Sequence, residues 1–266
     1  GDLARRGIGL VFRAYPARNG LRFCDEVSAI MLIGDENPLR ETEEWRTRVT
    51  AQIKVPFWTV DADVIVPSRL LRREHYAART IRPRINELLP QFLIPLSNPS
   101  AHIPCSLAQI LNSLPATANF ISGWAIDRSV SPTKFWKGGS HEGQRILNQF
   151  VNAKLSDYPG QRNLPQIDGT SRLSPYLHFG HLGPHTVALA IQNSVAPAAA
   201  RQAFLEQLIV RRELAVNFVR FNPHYDSLDC LEPWADRTFA EHAADQRQIV
   251  YSDRQLENAE THDPLW

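Results

Sequence analysis

Apolar positions along this chain follow two rhythms, and the change between them divides it. GIGLVFR (Gly7 to Arg13) and VSAIMLIGD (Val27 to Asp35) are compact apolar runs with turn residues beyond them, the pattern of strands buried on both faces. In ETEEWRTRVTAQIKV, Trp45, Val49 and Ile53 recur at four-residue steps, which predicts a helix. VPFWTVDADVIVP then reads as another strand. Strand, helix and strand at this spacing predict a parallel α/β sheet over residues 1–67. From His141 onward the strand signal is gone. Ile146, Leu147, Phe150, Val151, Lys154 and Leu155 mark one helix, Pro184 to Gln192 another, and Ala200 to Phe221 a long third, so 141–266 reads as all-α. Residues 68–140 form a connector with helices: HYAARTIRPRINELLPQFL carries Pro83 and Pro90, and the Pro-, Ser- and Asn-rich IPLSNPSAHIPC follows. The predicted fold class is therefore α/β plus all-α.

Composition narrows this picture only a little. Of 266 residues, 43% are hydrophobic and 21% charged, ordinary for a folded domain. The formal net charge of +1 does not announce a nucleic-acid partner, so such a case has to rest on local clustering. The dense arginines Arg69, Arg72, Arg73, Arg79, Arg82 and Arg84 are one such cluster, and a solvated helix face explains them as well as a binding surface does. Cys24, Cys105 and Cys230 are scattered without C-x-x-C spacing, which fits a reducing compartment. No apolar run reaches membrane-spanning length, so no membrane partner is expected. The only methionine is Met31, and the chain is read as a piece of something longer, cut at both ends. No G-x-G-x-x-G supports a dinucleotide site of that kind.

Two constellations stand out for their chemistry. DGTSRLSPYLHFG (Asp168 to Gly180) places Gly169, Thr170, Ser171 and Arg172 before a Ser174-Pro175 step. Serine is a favoured N-cap and proline suits the first helical position, so Ser174 is expected to start a helix. Free N–H groups, hydroxyls and an arginine at such a bend are what a pyrophosphate needs, though an ordinary capped helix accounts for the stretch too. In FLEQLIVRRELAVNF, Arg212 falls inside an apolar stripe and should snorkel or find an anion. Glu206, Ile209, Glu213, Val216, Asn217 and Arg220 share another face; Glu213 and Asn217 at i, i+4 present a carboxylate and an amide together, unless they belong to an Arg–Glu surface network. His178, His181 and His185 lack the companions of a metal shell, and Trp136, Trp234 and Trp266 are expected in the core or at its rim.

Tyr158, QRN at Gln161 to Asn163 and DGTSRLSPYLHFG resemble the flavin-binding segment of DNA photolyases. FLEQLIVRRELAVNF, NPHYDSL, PWADRTFAEHAADQR, THDPLW and HYAARTIRPRINELL resemble the class II cyclobutane pyrimidine dimer photolyases in particular. The resemblance implies a partial Rossmann-like antenna domain followed by a partial helical FAD-binding domain. It also implies a deoxyribodipyrimidine photo-lyase, a carbon–carbon lyase in which excited reduced FAD donates an electron to a pyrimidine dimer flipped out of damaged DNA. Tyr158, Thr170, Ser171, Arg172, Leu173 and Ser174 match flavin-contacting positions. Glu213 matches the glutamate that stabilises the dimer radical anion, and Asn217 lies one turn on. Arg162 and Arg211 match positions near the DNA strand. Glu213 and the hydroxyl-lined bend are expected to face one cavity. Whether an antenna chromophore binds the α/β segment is left open. A monomer in the cytoplasm, nucleoid-associated in a prokaryote or nuclear in a eukaryote, follows from the same resemblance. The family's chain runs on past THDPLW into further flavin-holding helices. Two alternatives stay open: a cryptochrome-like flavin photoreceptor without repair activity, and a degenerate fragment that binds no flavin.

Overall fold

The structure, a computed structural model, describes residues 2–13, 19–105, 113, 124 and 126–266. The expected parallel pairing is present: β1 (Leu32–Asp35) lies beside β2 (Phe57–Val60), with Leu32 opposite Phe57 and Asp35 opposite Val60. Parallel neighbours require a crossover, and α3 (Arg40–Thr50) supplies it. GIGLVFR, however, is not a strand. After α1 (Asp2–Arg5) the chain turns at Gly7, whose φ of 72° is the left-handed conformation that a residue without Cβ adopts freely. The carbonyls of Arg6 and Gly7 then accept N–H groups from Ala101 and Cys105 at 2.7 and 2.8 Å, so this segment is held by the connector instead of by a sheet. α2 (Gly20–Glu26) precedes the second apolar run, of which only the last four residues pair. Nor are the strands sealed on both faces, since Ile33 and Trp58 are 59% and 63% exposed. Two four-residue strands give other elements little area on which to pack.

The principal core includes no residue of this sheet. Ile81 and Ile85 of α4 (Ala78–Phe92), Leu147 and Phe150 of α5 (Ser140–Ala153), and Val187 and Ile191 of α8 (Pro184–Gln192) are fully buried. α4 runs through both Pro83 and Pro90. An interior proline costs a helix about 3 kcal/mol, and each buried large aliphatic contributes about 1.5–3 kcal/mol. Three buried large aliphatics at helical spacing, Ile81, Ile85 and Leu88, with Ala78 on the same face, offset a cost of that size. α6 (Tyr158–Gln161) and α7 (Ser174–His178) are short turns between α5 and α8. The long helix expected over Ala200 to Phe221 is one path with an internal fault: α9 (Ala198–Leu205), a π turn (Glu206–Arg211), then α10 (Arg212–Phe221).

The chain divides into two compact units, Gly1–Phe221 and Asn222–Trp266. The second contains α11 (Pro233–His242), which opens on a proline, and α12 (Asp253–Glu257), whose start is fixed by a reciprocal capping box between Ser252 and Gln255. Trp136, Trp234 and Trp266 are exposed, contrary to expectation; Trp136 packs edge-on against Tyr176, and the Trp266 ring N–H donates to the Leu256 carbonyl at 3.2 Å. No helix among the described residues is long and apolar enough to cross a membrane.

Candidate functional site

One face of α10 grips the connector that follows β2. Glu213, Asn217 and Arg220 stand at i, i+4 and i+7, so they line up along a single stripe. Glu213 is 1% exposed, and its Oε1 accepts the N–H groups of Ile65 at 2.9 Å and Val66 at 3.2 Å. Asn217, fully buried, accepts the His75 N–H through Oδ1 at 2.7 Å and donates Nδ2–H to the Arg73 carbonyl at 2.9 Å. The Arg220 guanidinium donates to Ser68 Oγ at 2.7 Å and to Glu36 at 2.8 Å. Arg212 finds its acceptor on the same segment, giving Nε–H to the Asp63 carbonyl at 2.8 Å. Backbone donors and acceptors of an irregular buried segment must be satisfied somewhere, and here one helix does it with side chains.

The Arg–Glu surface network weighed for this helix exists, but around Glu206. Arg82 meets Glu206 through two hydrogen bonds at 2.7 and 3.1 Å, and Arg211 stands 3.8 Å away. Glu213 is not in it. The second oxygen of Glu213, Oε2, is buried without a hydrogen-bond partner. Burial therefore pushes the carboxyl up to about 7; the Ile65 and Val66 N–H groups oppose this, and the nearby charge of Asp61 adds to it. Glu36 shows the opposite balance. Burial alone would raise it, but hydrogen bonds from Thr59 and Arg69 and the charges of Arg220 and Arg69 hold it below its ordinary value. Glu36, Asp61 and Ser68 are site residues that the sequence reading missed. Arg220 lay on the recognised face, and its i+7 spacing from Glu213 was the available signal.

Around the hydroxyl-bearing bend the geometry is different from that read in the sequence. Ser174 is the first residue of α7 and makes no capping bond, and α7 is only five residues long, so helix polarity adds little. Gly169 serves packing: a Cβ there would lie 2.5 Å from Gln161 Cβ. What suits an anion is the backbone. Arg172 has φ 54°, and the N–H groups of Thr170, Ser171 and Arg172 have no hydrogen-bond acceptor among the described residues. Consecutive free N–H groups around a left-handed residue form an anion-binding concavity. Thr170 and Ser174 are exposed beside it, Ser171 is half-buried with its Oγ 3.4 Å from the Leu173 N–H, and Leu173 is buried in the core. Asp168 already holds Lys154 at 2.6 Å and Arg172 at 2.9 Å; the Lys154 hydrogen bond, helped by Arg172, keeps its carboxyl below the usual range.

Tyr158 is buried against Phe150 and Phe204, and the Arg162 guanidinium lies over its ring at 5.7 Å. Arg211 is exposed. Of the three histidines, His181 accepts the Gly139 N–H at 3.2 Å and His185 bonds the Phe92 carbonyl at 2.6 Å. The structure thus brings Glu213 and Asn217 together on the connector, and Thr170, Ser171, Arg172 and Ser174 together at a surface bend.

No family model matches the chain. It is 34% identical over 267 residues to the deoxyribodipyrimidine photo-lyase of Methanothermobacter thermautotrophicus, covering 100% of this chain and 58% of that protein. It is 36% identical over 241 residues to the enzyme of that name from Potorous tridactylus, covering 88% of this chain and 44% of the relative. The chain thus spans about half the length of these relatives. In three dimensions it resembles a class III photolyase from Agrobacterium tumefaciens, with a TM-score of 0.59 at 15% identity over 77% of this chain and 45% of that one. It also resembles a Synechocystis cryptochrome, with a TM-score of 0.53 at 15% identity over 76% of this chain and 44% of the other. The structural likenesses show the fold, α/β joined to helices, and in sequence the chain is similar over most of its length to proteins named deoxyribodipyrimidine photo-lyase.

Proposed function

We propose for this chain the activity of a class II photolyase, splitting cyclobutane pyrimidine dimers in damaged DNA by light-driven electron transfer from reduced FAD. The observation that carries the reading is the state of Glu213, an enclosed carboxyl with one oxygen held by two backbone N–H groups and the other without a partner. With its pKa pushed up to about 7, the carboxyl is mostly neutral below that pH, and Oε2, which accepts no N–H, is the oxygen free to hold the proton. A neutral carboxyl donates a hydrogen bond to a carbonyl that is gaining negative charge, and it does so in a site from which water is excluded. Asn217, one turn further on, keeps the connector backbone in place against it.

The residues at the bend fit the diphosphate of FAD through the free N–H groups of Thr170, Ser171 and Arg172 and the hydroxyls of Thr170 and Ser174. When bound, the reduced flavin supplies the photoexcited electron. Tyr158 is held in place by packing with Phe150 and Phe204. Arg162 and Arg211 are assigned to phosphates of the DNA strand, where each positions without reading sequence.

The test is light-dependent repair of an oligonucleotide containing a thymine dimer, by the 266-residue chain reconstituted with FAD. Glu213→Gln keeps an oxygen for the Ile65 and Val66 N–H groups, so flavin content should stay unchanged while repair falls at least about tenfold. Flavin uptake with no light-dependent repair would favour the photoreceptor reading. A preparation that takes up no flavin would leave only the degenerate one.

A further inference from the structure

On the connector side of Asn217, the chain builds a hollow, walled in part by Leu71 and Pro83, that the proposed repair chemistry does not use. A cavity of about 480 Å³ is lined by Arg72, Arg73, His75, Thr80, Arg84 and Glu87. That volume lies within the range of small-molecule sites. Arg84 is neutralised by Glu87 at 2.7 Å. Arg72 and Arg73 are exposed, and among the described residues neither guanidinium has a hydrogen bond or an acidic partner. Two uncompensated charges therefore border the opening.

His75 is the independent observation. It is 6% exposed, and its backbone N–H goes to Asn217, yet among the described residues its imidazole has no hydrogen-bond partner. The ring lines the hollow, with its nitrogens open to it and not sealed in the core. The backbone around it is constrained as well. Arg72 has φ 63°, uncommon for a residue with a Cβ, and the Asn217 amide clamps the Arg73 carbonyl and the His75 N–H. The Asn217 amide of α10 thus fixes the backbone that borders the hollow.

We infer that the hollow formed by Arg72, Arg73 and His75 binds the terminal phosphate of a small phosphorylated molecule. Two guanidiniums and an imidazole N–H match the three free oxygens of a phosphomonoester. The recessed position of His75 selects a terminal phosphate over a phosphodiester, whose two flanking sugars would meet the exposed arginines before any oxygen reached the ring.

The experiment follows the His75 ring by NMR in the 15N-labelled 266-residue chain, with His75→Asn to assign the signal. The probes are inorganic phosphate, adenosine monophosphate and a short oligonucleotide lacking terminal phosphates. Phosphate and the monophosphate should shift the ring signal saturably in the millimolar range or below, where an equal ionic strength of chloride does not. The variant Arg72→Asn/Arg73→Gln should weaken this at least about tenfold. Asparagine tolerates the left-handed backbone, and both side chains are exposed, so the melting temperature should not move. No saturable shift, an undiminished shift in the double variant, or equal displacement by the oligonucleotide would each overturn the proposal.

Discussion

Glu213 is held by the fold in a form that water would not favour, and stability should register this. Its pKa stands at about 7 against an ordinary 4.5, so between these values the folded chain binds more proton than the unfolded one. The neutral-acid contribution is complete below the ordinary value, is lost as pH rises towards 7, and stays lost above it. The span corresponds to about 3 kcal/mol. Urea denaturation of Glu213→Gln should therefore show the variant about as stable as the parent near pH 4.5 and more stable at about pH 8. Equal pH dependence in the two proteins would contradict the assignment. Asn217→Ala removes both bonds to the connector and strands a buried donor and acceptor, for a loss of about 2–5 kcal/mol in the same measurement. These two residues were legible in the sequence as an i, i+4 pair. Their partners were not, because Ile65, Val66, Arg73 and His75 take part through the backbone, which carries no residue signature.

Between elements, the π turn at Glu206–Arg211 sets which way α10 faces. Phe204 before it points into the core, while Glu213 and Asn217 after it point at the connector. A π turn is one residue more than an α-helix needs, and each residue is worth about 100° of rotation. Deleting Gln207 takes out that extra residue, so the helix should become regular with Glu213 and Asn217 still facing the connector. Circular dichroism should show helix content kept, and urea denaturation should keep the pH-dependent stability of Glu213; its disappearance would refute this account of the π turn. Gly169→Ala is a second test, since its Cβ would meet Gln161 at 2.5 Å; overpacking of that kind costs about 1–3 kcal/mol in thermal denaturation. Helices from Ser140 onward were readable because burial there follows the helical period. GIGLVFR was misread because an apolar run carries no sign of its partner, and here the partner is a connector rather than a neighbouring strand. Ser174-Pro175 marked a helix start correctly in place but not in kind, since the cap bond is absent.

At the scale of the molecule, one buried ionic knot joins the sheet to the helices. Glu36, just past β1, meets Arg220 of α10 at 2.8 Å, both nearly inaccessible, and Arg69 and Thr59 complete the shell. Removing one partner of a buried pair costs about 3–5 kcal/mol because the other charge is left uncompensated. The parallel pair and the helical half were both legible at this scale. The knot was not, because Glu36 and Arg220 are far apart in sequence and nothing local in either stretch points to the other. Through the knot and the clamp, α10 holds the connector and keeps Glu213 out of water, which the proposed repair chemistry needs. The pH profile of light-driven dimer cleavage, measured side by side for the parent chain and Glu213→Gln with flavin bound, tests this most directly. Repair by the parent should decline as pH rises through about 7, and the variant should show a lower, flat profile. Identical profiles, or a decline kept in the variant, would contradict the account.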